Sequence, residues 1–436
     1  MKMKTMNRDR KRLSLAVLFC ALVVLCLAGS SWGADVSGTR VLTLEDCLRI
    51  AEDHHPDLEG ADAQNAIERA RLSQAAVGDR VEVSGSVSAT RSGAEFGDGS
   101  SYSVGVSSGV KVYDANRSKY AIDSQRRSLS ATEATGERTL SLVRASVKTS
   151  YMDLLLNLAA RDQRKESVDA FRRHLEQARG FYEVGSKPRF DVTKAEVDLG
   201  RAELALVEAE SSIEISRVAL LNAMGVAEIE PFEVALTPWD IPVEMEREAE
   251  ALALEHRPDY RAAAFRTLAG KASMSAEARY GSPSVSLRGG YSYSGDDLSD
   301  LDKGWNVGLS MSIPIVDGGA AKARLAVAEG QVRSLSASQE SLRQDILLEV
   351  RRAALDVKNA RERIRITELT VGQAEENYAL AEGRYDAGVG SALEITDALL
   401  ALTDARLSAF QARYGLQTAL VGLERATGLE MSRGEI

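Results

Sequence analysis

The second half of this chain repeats the first at a displacement of about 203 positions, so whatever one half builds the other must build again. His54-His55-Pro56-Asp57-Leu58 returns as His256-Arg257-Pro258-Asp259-Tyr260, and Val104-Gly105-Val106-Ser107 as Val307-Gly308-Leu309-Ser310. Val112-Tyr113-Asp114 matches Ile315-Val316-Asp317, Tyr182 and Gly185 match Tyr385 and Gly388, and Gly225 matches Gly428. The joint, 228–243, holds Pro231, Pro238 and Pro242 and reads as an irregular linker. The expected domains are therefore a first repeat at 34–227, a linker at 228–243 and a second repeat at 244–436.

Each half parses alike. A helix is predicted from Leu44 to Gly78 with a break at Pro56, followed by two strands. A second helix runs from Ala115 to Glu183 without a proline, which at 1.5 Å per residue is roughly 100 Å. A turn from Gly185 to Pro188 leads to a return helix, Asp191 to Met224. The second half gives helices at Arg247–Arg279, Gly318–Asp386 and Leu393–Thr427. With 5% aromatic residues and eight prolines in all, the composition suits long helices better than compact cores. Such helices need antiparallel partners, in the manner of a coiled coil.

The strands alternate strictly. Tyr102, Val104, Val106, Val110 and Val112 face one way and Ser103, Gly105, Ser107, Gly109 and Lys111 the other, with Ser108 breaking the apolar side. The stretch 305–315 alternates in the same manner from Trp305 to Ile315, and the upstream partners are Val81–Ser88 and Val285–Tyr293. Ten residues of period-two alternation match a membrane barrel strand, apolar toward lipid and polar toward a wet lumen. A soluble sheet with one wet face gives the same pattern. Four strands cannot close a barrel, and an open edge in lipid leaves backbone groups unsatisfied, so the membrane reading requires an oligomer. Gly93–Ser100 and Gly295–Gly304 read as exposed loops between the paired strands.

The leader narrows the choice. Lys2, Lys4, Arg8, Arg10, Lys11 and Arg12 precede an apolar run from Leu13 to Leu27, and Ser31-Trp32-Gly33 offers a cleavage site, which together make 1–33 a secretory signal peptide. Phe19 before Cys20 and Leu25 before Cys26 exclude a lipid-attachment site. Cleavage removes six basic residues and one acidic residue from totals of 54 and 64, leaving a net charge of −15, the wrong sign for a nucleic-acid partner. Cys47 remains alone, so neither an intramolecular disulfide nor a cysteine metal cluster is available. The four histidines form no catalytic or metal constellation: His54 and His55 flank a helix break, and His174 and His256 lie alone on helices. No catalytic triad, phosphate loop or nucleotide fingerprint is present, and no enzyme activity, cofactor or metal is expected.

These features resemble the TolC-like outer membrane efflux protein family across nearly the whole exported chain. Leu42-Thr43-Leu44-Glu45-Asp46-Cys47-Leu48 with His55-Pro56-Asp57-Leu58 looks like its opening helix. Ser312-Ile313-Pro314-Ile315-Val316-Asp317-Gly318-Gly319 is similar to its strand-to-helix junction, and Asp114 is the corresponding junction residue of the first repeat. Tyr385-Asp386-Ala387-Gly388 resembles its periplasmic turn. The resemblance implies an α+β membrane protein: a homotrimer with a twelve-strand barrel in outer-membrane lipid, continued by a twelve-helix periplasmic barrel. It implies a periplasmic adaptor (membrane fusion) protein and an inner-membrane RND or ABC pump as partners, with Gly185, Ser186, Gly388 and Val389 in the adaptor-facing turns. It further implies a gate in which Glu394 and Asp397, three residues apart on one helix face, form an acidic ring, against Asp191 and Lys194 in the first repeat. Helix-start acids favoured by the macrodipole are the plainer reading of the same pair. Tyr385 matches a family tyrosine that holds the tip closed. Gly390 stands where its basic partner belongs, with Lys187 or Arg189 as substitutes. The expected function is an exit duct for a tripartite efflux system. A type I protein secretion duct is the alternative, and a soluble periplasmic coiled-coil structural or adhesin-like protein is the alternative of another class.

Overall fold

The computed structural model describes residues 40–78, 80–94, 97–228, 231–235 and 243–429; the expected leader and its cleavage site lie outside them. The elements run β1 (Arg40–Leu42), α1 (Leu44–His54), α2 (Pro56–Val77), β2 (Glu82–Ala94), β3 (Gly97–Tyr113), α3 (Arg117–Glu183), α4 (Arg189–Ala223), β4 (Phe232–Val234), α5 (Val243–His256), α6 (Pro258–Glu277), β5 (Ser284–Asp297), β6 (Asp300–Ser312), α7 (Ala320–Asp386) and α8 (Ala392–Thr427). Both α3 and α7 are 67 residues long and begin 203 positions apart.

Local chemistry sets the boundaries. Thr43 and Asp46 close a capping box on α1, each side chain bonded to the other's backbone N–H. Pro56 and Pro258 open α2 and α6 at their first turn, where the missing N–H costs nothing. The single helix expected over Arg247–Arg279 is therefore two, broken at Pro258 as its counterpart is at Pro56. A second correction concerns the joint: Phe232–Val234 of the expected irregular linker is a strand paired with β1. The Tyr151 hydroxyl donates to the Ala235 carbonyl at 2.5 Å and lies 3.2 Å from that of Leu42.

The turns that end the return helices carry the duplication down to single atoms. Gly225 and Gly428 both have positive φ, +74° and +73°. A Cβ on Gly225 would stand 2.6 Å from the His55 Cα, and one on Gly428 3.0 Å from the Arg257 Cα. Glycine is needed at both for conformation and for space.

The sheet is antiparallel throughout in the order β2-β3-β5-β6. It extends beyond the alternating cores: pairing reaches Ala94↔Gly97 and Asp297↔Asp300, so most of the two expected loops is strand. Serine, glycine and aspartate are poor strand formers alone, yet they extend a hairpin whose register is already set by a long ladder. At the other end β6 stops at Ser312, because Pro314 has no N–H to offer a ladder. One face of the sheet carries Val83, Val87, Val104, Val106, Leu287, Trp305, Val307, Leu309 and Met311, all exposed.

Below the sheet, α3 packs on α2 and α6, and α6 packs on α7. Alanines line these helices, Ala131 and Ala134 buried on α3 and Ala262, Ala269, Ala272 and Ala276 on α6, and such small side chains let backbones approach closely. Beyond it, α3 pairs with α4 and α7 with α8, joined through α3 on α8. Larger side chains fill this part, with Val168, Phe171, Ala202 and Leu399 in one cluster. The core is a series of helix seams rather than one centre. In all three layers the open flanks are the same: β2, α2 and α4 on one side, β6 and α7 on the other.

Candidate gate at the helix tip

Two glycine turns, one per repeat, join the long helices. Gly185 and Gly388 take φ of +71° and +77°. In each, the N–H after the glycine reaches back five residues, Ser186 to the Phe181 carbonyl at 2.9 Å and Val389 to that of Arg384 at 3.0 Å. This is the Schellman closure that glycine at C′ permits. Gly185, Ser186, Gly388 and Val389 are all exposed, and so are Val184, Phe190 and Leu393 beside them.

Tyr385 sits behind the second turn with no exposed surface. Its ring meets His174 edge-on at 5.3 Å and Phe181 at 5.5 Å, both from α3. The Lys187 ammonium lies 5.0 Å from the ring centroid and donates to the Gly390 carbonyl at 2.8 Å, tying the first turn to the second. Of the two basic candidates Lys187 therefore makes this contact, and Arg189 is exposed. Gly390 could not hold an arginine without a shift, since its Cβ would fall 2.8 Å from the Tyr385 nitrogen. The Tyr385 hydroxyl has no hydrogen-bond partner among the described residues, and burial, with the charges of Asp191 and Asp386 adding, raises its pKa and keeps it a neutral phenol.

The acidic pair is not equivalent. Glu394 is the third residue of α8, where its N–H bonds the Ser391 hydroxyl at 3.2 Å and its carboxylate takes the Arg384 guanidinium at 3.2 Å. Asp397 is exposed on the same helix with no ion pair among the described residues. In the first repeat Asp191 is buried, and Lys194 turns to Asp198 at 2.5 Å rather than to Asp191. Sequence reasoning missed Arg384, Asp198 and above all His174. That histidine is 4% exposed, and neither ring nitrogen meets a partner in hydrogen-bonding geometry among the described residues. Burial lowers its pKa, against the Gln177 side chain and the carboxylates of Asp198 and Asp191. Its seven-residue spacing from Phe181 was the available signal.

The junction residues at the barrel end form a second matched set. The Asp317 carboxylate accepts from the N–H groups of Gly319 at 2.9 Å and Ala321 at 2.7 Å, which holds its pKa low. Asp114 accepts from the Ser118 N–H at 2.9 Å and from its hydroxyl. Desolvation works against that carboxylate, but the Ser118 bonds leave its pKa below the usual value. Gly318 and Gly319 have φ of +63° and +92°, and their counterparts Ala115 and Asn116 hold +58° and +65°. Pro314 stands between β6 and this turn.

The family model for outer membrane efflux proteins matches residues 48–226 and again 251–429. The chain belongs to the outer membrane efflux protein family. It is 28% identical to outer membrane protein OprJ of Pseudomonas aeruginosa, over 85% of this chain and 79% of OprJ. With the probable efflux pump outer membrane protein TtgC of Pseudomonas putida it shares 25% identity, over 78% of this chain and 72% of TtgC. The fold aligns with that of CusC at a TM-score of 0.82, 21% identity and coverage of 89% and 92%. This outer membrane efflux protein thus has the TolC-like fold, with its strands in the outer membrane and its helical part in the periplasm. Its family is one of passive channels, not enzymes.

Proposed function

We propose that this efflux protein is the exit duct of a tripartite efflux system, a homotrimer that passively conducts cargo delivered by an inner-membrane RND or ABC pump through a periplasmic adaptor. The observation that carries the reading is the shared open flank. The sheet and both helical layers end on the same two sides, so one rotation repeated around an axis closes all three at once. Three copies give twelve strands and leave no edge in lipid. The flanks are apolar at heptad spacing: Phe190, Val197 and Leu204 on α4, and Leu348, Leu355 and Leu369 on α7, all exposed in the single chain. The exposed apolar tip turns suit an adaptor. OprJ and TtgC are named as outer membrane proteins, TtgC of an efflux pump, and this favours efflux over protein secretion. The test is the mass of the detergent-solubilised protein by light scattering, followed by a knockout in its own host. A trimer and a knockout sensitised to toxic small molecules are expected. A monomer would remove the duct, and loss of a secreted protein without sensitisation would move it to type I secretion.

A further inference from the structure

Arg288 lies on the polar face of β5, five positions into the strand from its junction with α6. The register sets Gly109 of β3 and Gly308 of β6 opposite it. A Cβ on Gly109 would meet the Arg288 Cγ at 3.9 Å, so the arginine stem runs over a position kept empty of side chain. Arg288 is exposed and has no ion pair among the described residues. That face carries mostly serine and glycine, with the Ser84–Ser107 pair at 2.9 Å, the amide of Asn306 two positions from Gly308 and the carboxylate of Asp302 six positions from it. The other cation of that face, Lys111, is engaged by Ser118 at 3.1 Å and Asp114 at 3.7 Å. Glu82 shares the rung across Gly109, but two strand spacings put its backbone about 10 Å away. The sheet's opposite face is the apolar one, which assigns Arg288 to the wet side.

We propose that Arg288 is an anion contact in the lumen: three copies, in the trimer on which this inference rests, meet carboxylate or phosphate groups on passing cargo near the periplasmic mouth of the barrel. Twelve strands about 4.8 Å apart and tilted about 40° make a backbone circle roughly 24 Å across. Three arginines reaching inward leave the whole section within about one Debye length, ~10 Å at 0.1 M salt, of a guanidinium. Cargo then meets acidic side chains at the helix tip and guanidinium groups in the barrel. Reversal potentials in planar bilayers under a KCl gradient near 0.1 M test it with wild type, Arg288→Gln and Arg288→Lys. The glutamine variant is expected to raise the potassium-to-chloride permeability ratio about twofold and to lose block by added inorganic pyrophosphate, while the lysine variant keeps both properties. Channels in which Arg288→Gln matches wild type in selectivity and block overturn this inference alone. Absence of wild-type channels overturns the exit-duct reading and this inference with it.

Discussion

His174 and Asp397 stand opposite Asn377 and Lys194 in the other repeat, and each makes a prediction. A histidine buried away from water is held neutral. Its folded pKa lies below the ordinary value of 6.5, so an unpacked tip binds a proton that the packed tip refuses. The tip contact is thus at full strength above that pH and weakens as the pH falls through the window beneath it. The groups acting on the ring are Tyr385 from α7, Gln177 from α3 and Asp191, Lys194 and Asp198 from α4, and a charged His174 would be drawn toward these carboxylates and off Tyr385. Channel opening in bilayers should therefore rise as the pH falls below 6.5, and His174→Phe should abolish the rise. A variant that still opens with acid would place the sensor elsewhere. For the acidic pair, Asp397→Asn should shift cation preference more than Glu394→Gln, because Glu394 is already neutralised by Arg384. Glu394→Gln should instead lower thermal stability modestly, by about 0.5–1 kcal/mol, as a helix-start carboxylate paired with Arg384. Equal selectivity changes would return both acids to the pore.

At the scale of elements, the left-handed residues between strand and helix are the test. Ala115 occupies a positive φ that its counterpart Gly318 adopts without strain. A Cβ in that region costs about 1 kcal/mol. Ala115→Gly should raise the melting midpoint by that order, whereas Gly318→Ala should lower it. Gly225→Ala should cost more than Gly388→Ala, since only Gly225 combines positive φ with a Cβ position 2.6 Å from another backbone. Thermal melting in detergent compares all four. These elements were largely legible beforehand. Period-two alternation and unbroken proline-free runs are local signals, and they located four barrel strands and both 67-residue helices. The break at Pro258 was misread because a proline at N1 is compatible with helix on its own C-terminal side. The β1–β4 ladder was missed because strands of three residues have no periodicity to detect.

For the whole molecule, the exposed heptad stripes on α4 and α7 predict that the fold is completed by its own copies. Leu204→Asp or Leu355→Asp places a charge in the proposed seam, where burial without a partner is costly. Either should convert the trimer to monomer in light scattering while far-ultraviolet circular dichroism keeps its helical signal. A trimer that survives both would exclude this pairing of flanks.

By itself the sequence determined the duplication, the alternation of barrel strands with long helices, and the need for partners. Each of these depends on residues near one another in the chain or on an offset between copies. Only the tertiary structure decided the tip. Tyr385 meets His174 across a distance of 211 positions, Lys187 bridges to Gly390 from the other repeat, and Glu394 is claimed by Arg384 while Asp397 is not. Side-chain contacts between helices from different repeats follow from packing angle and rotation about each axis, and no local pattern encodes those.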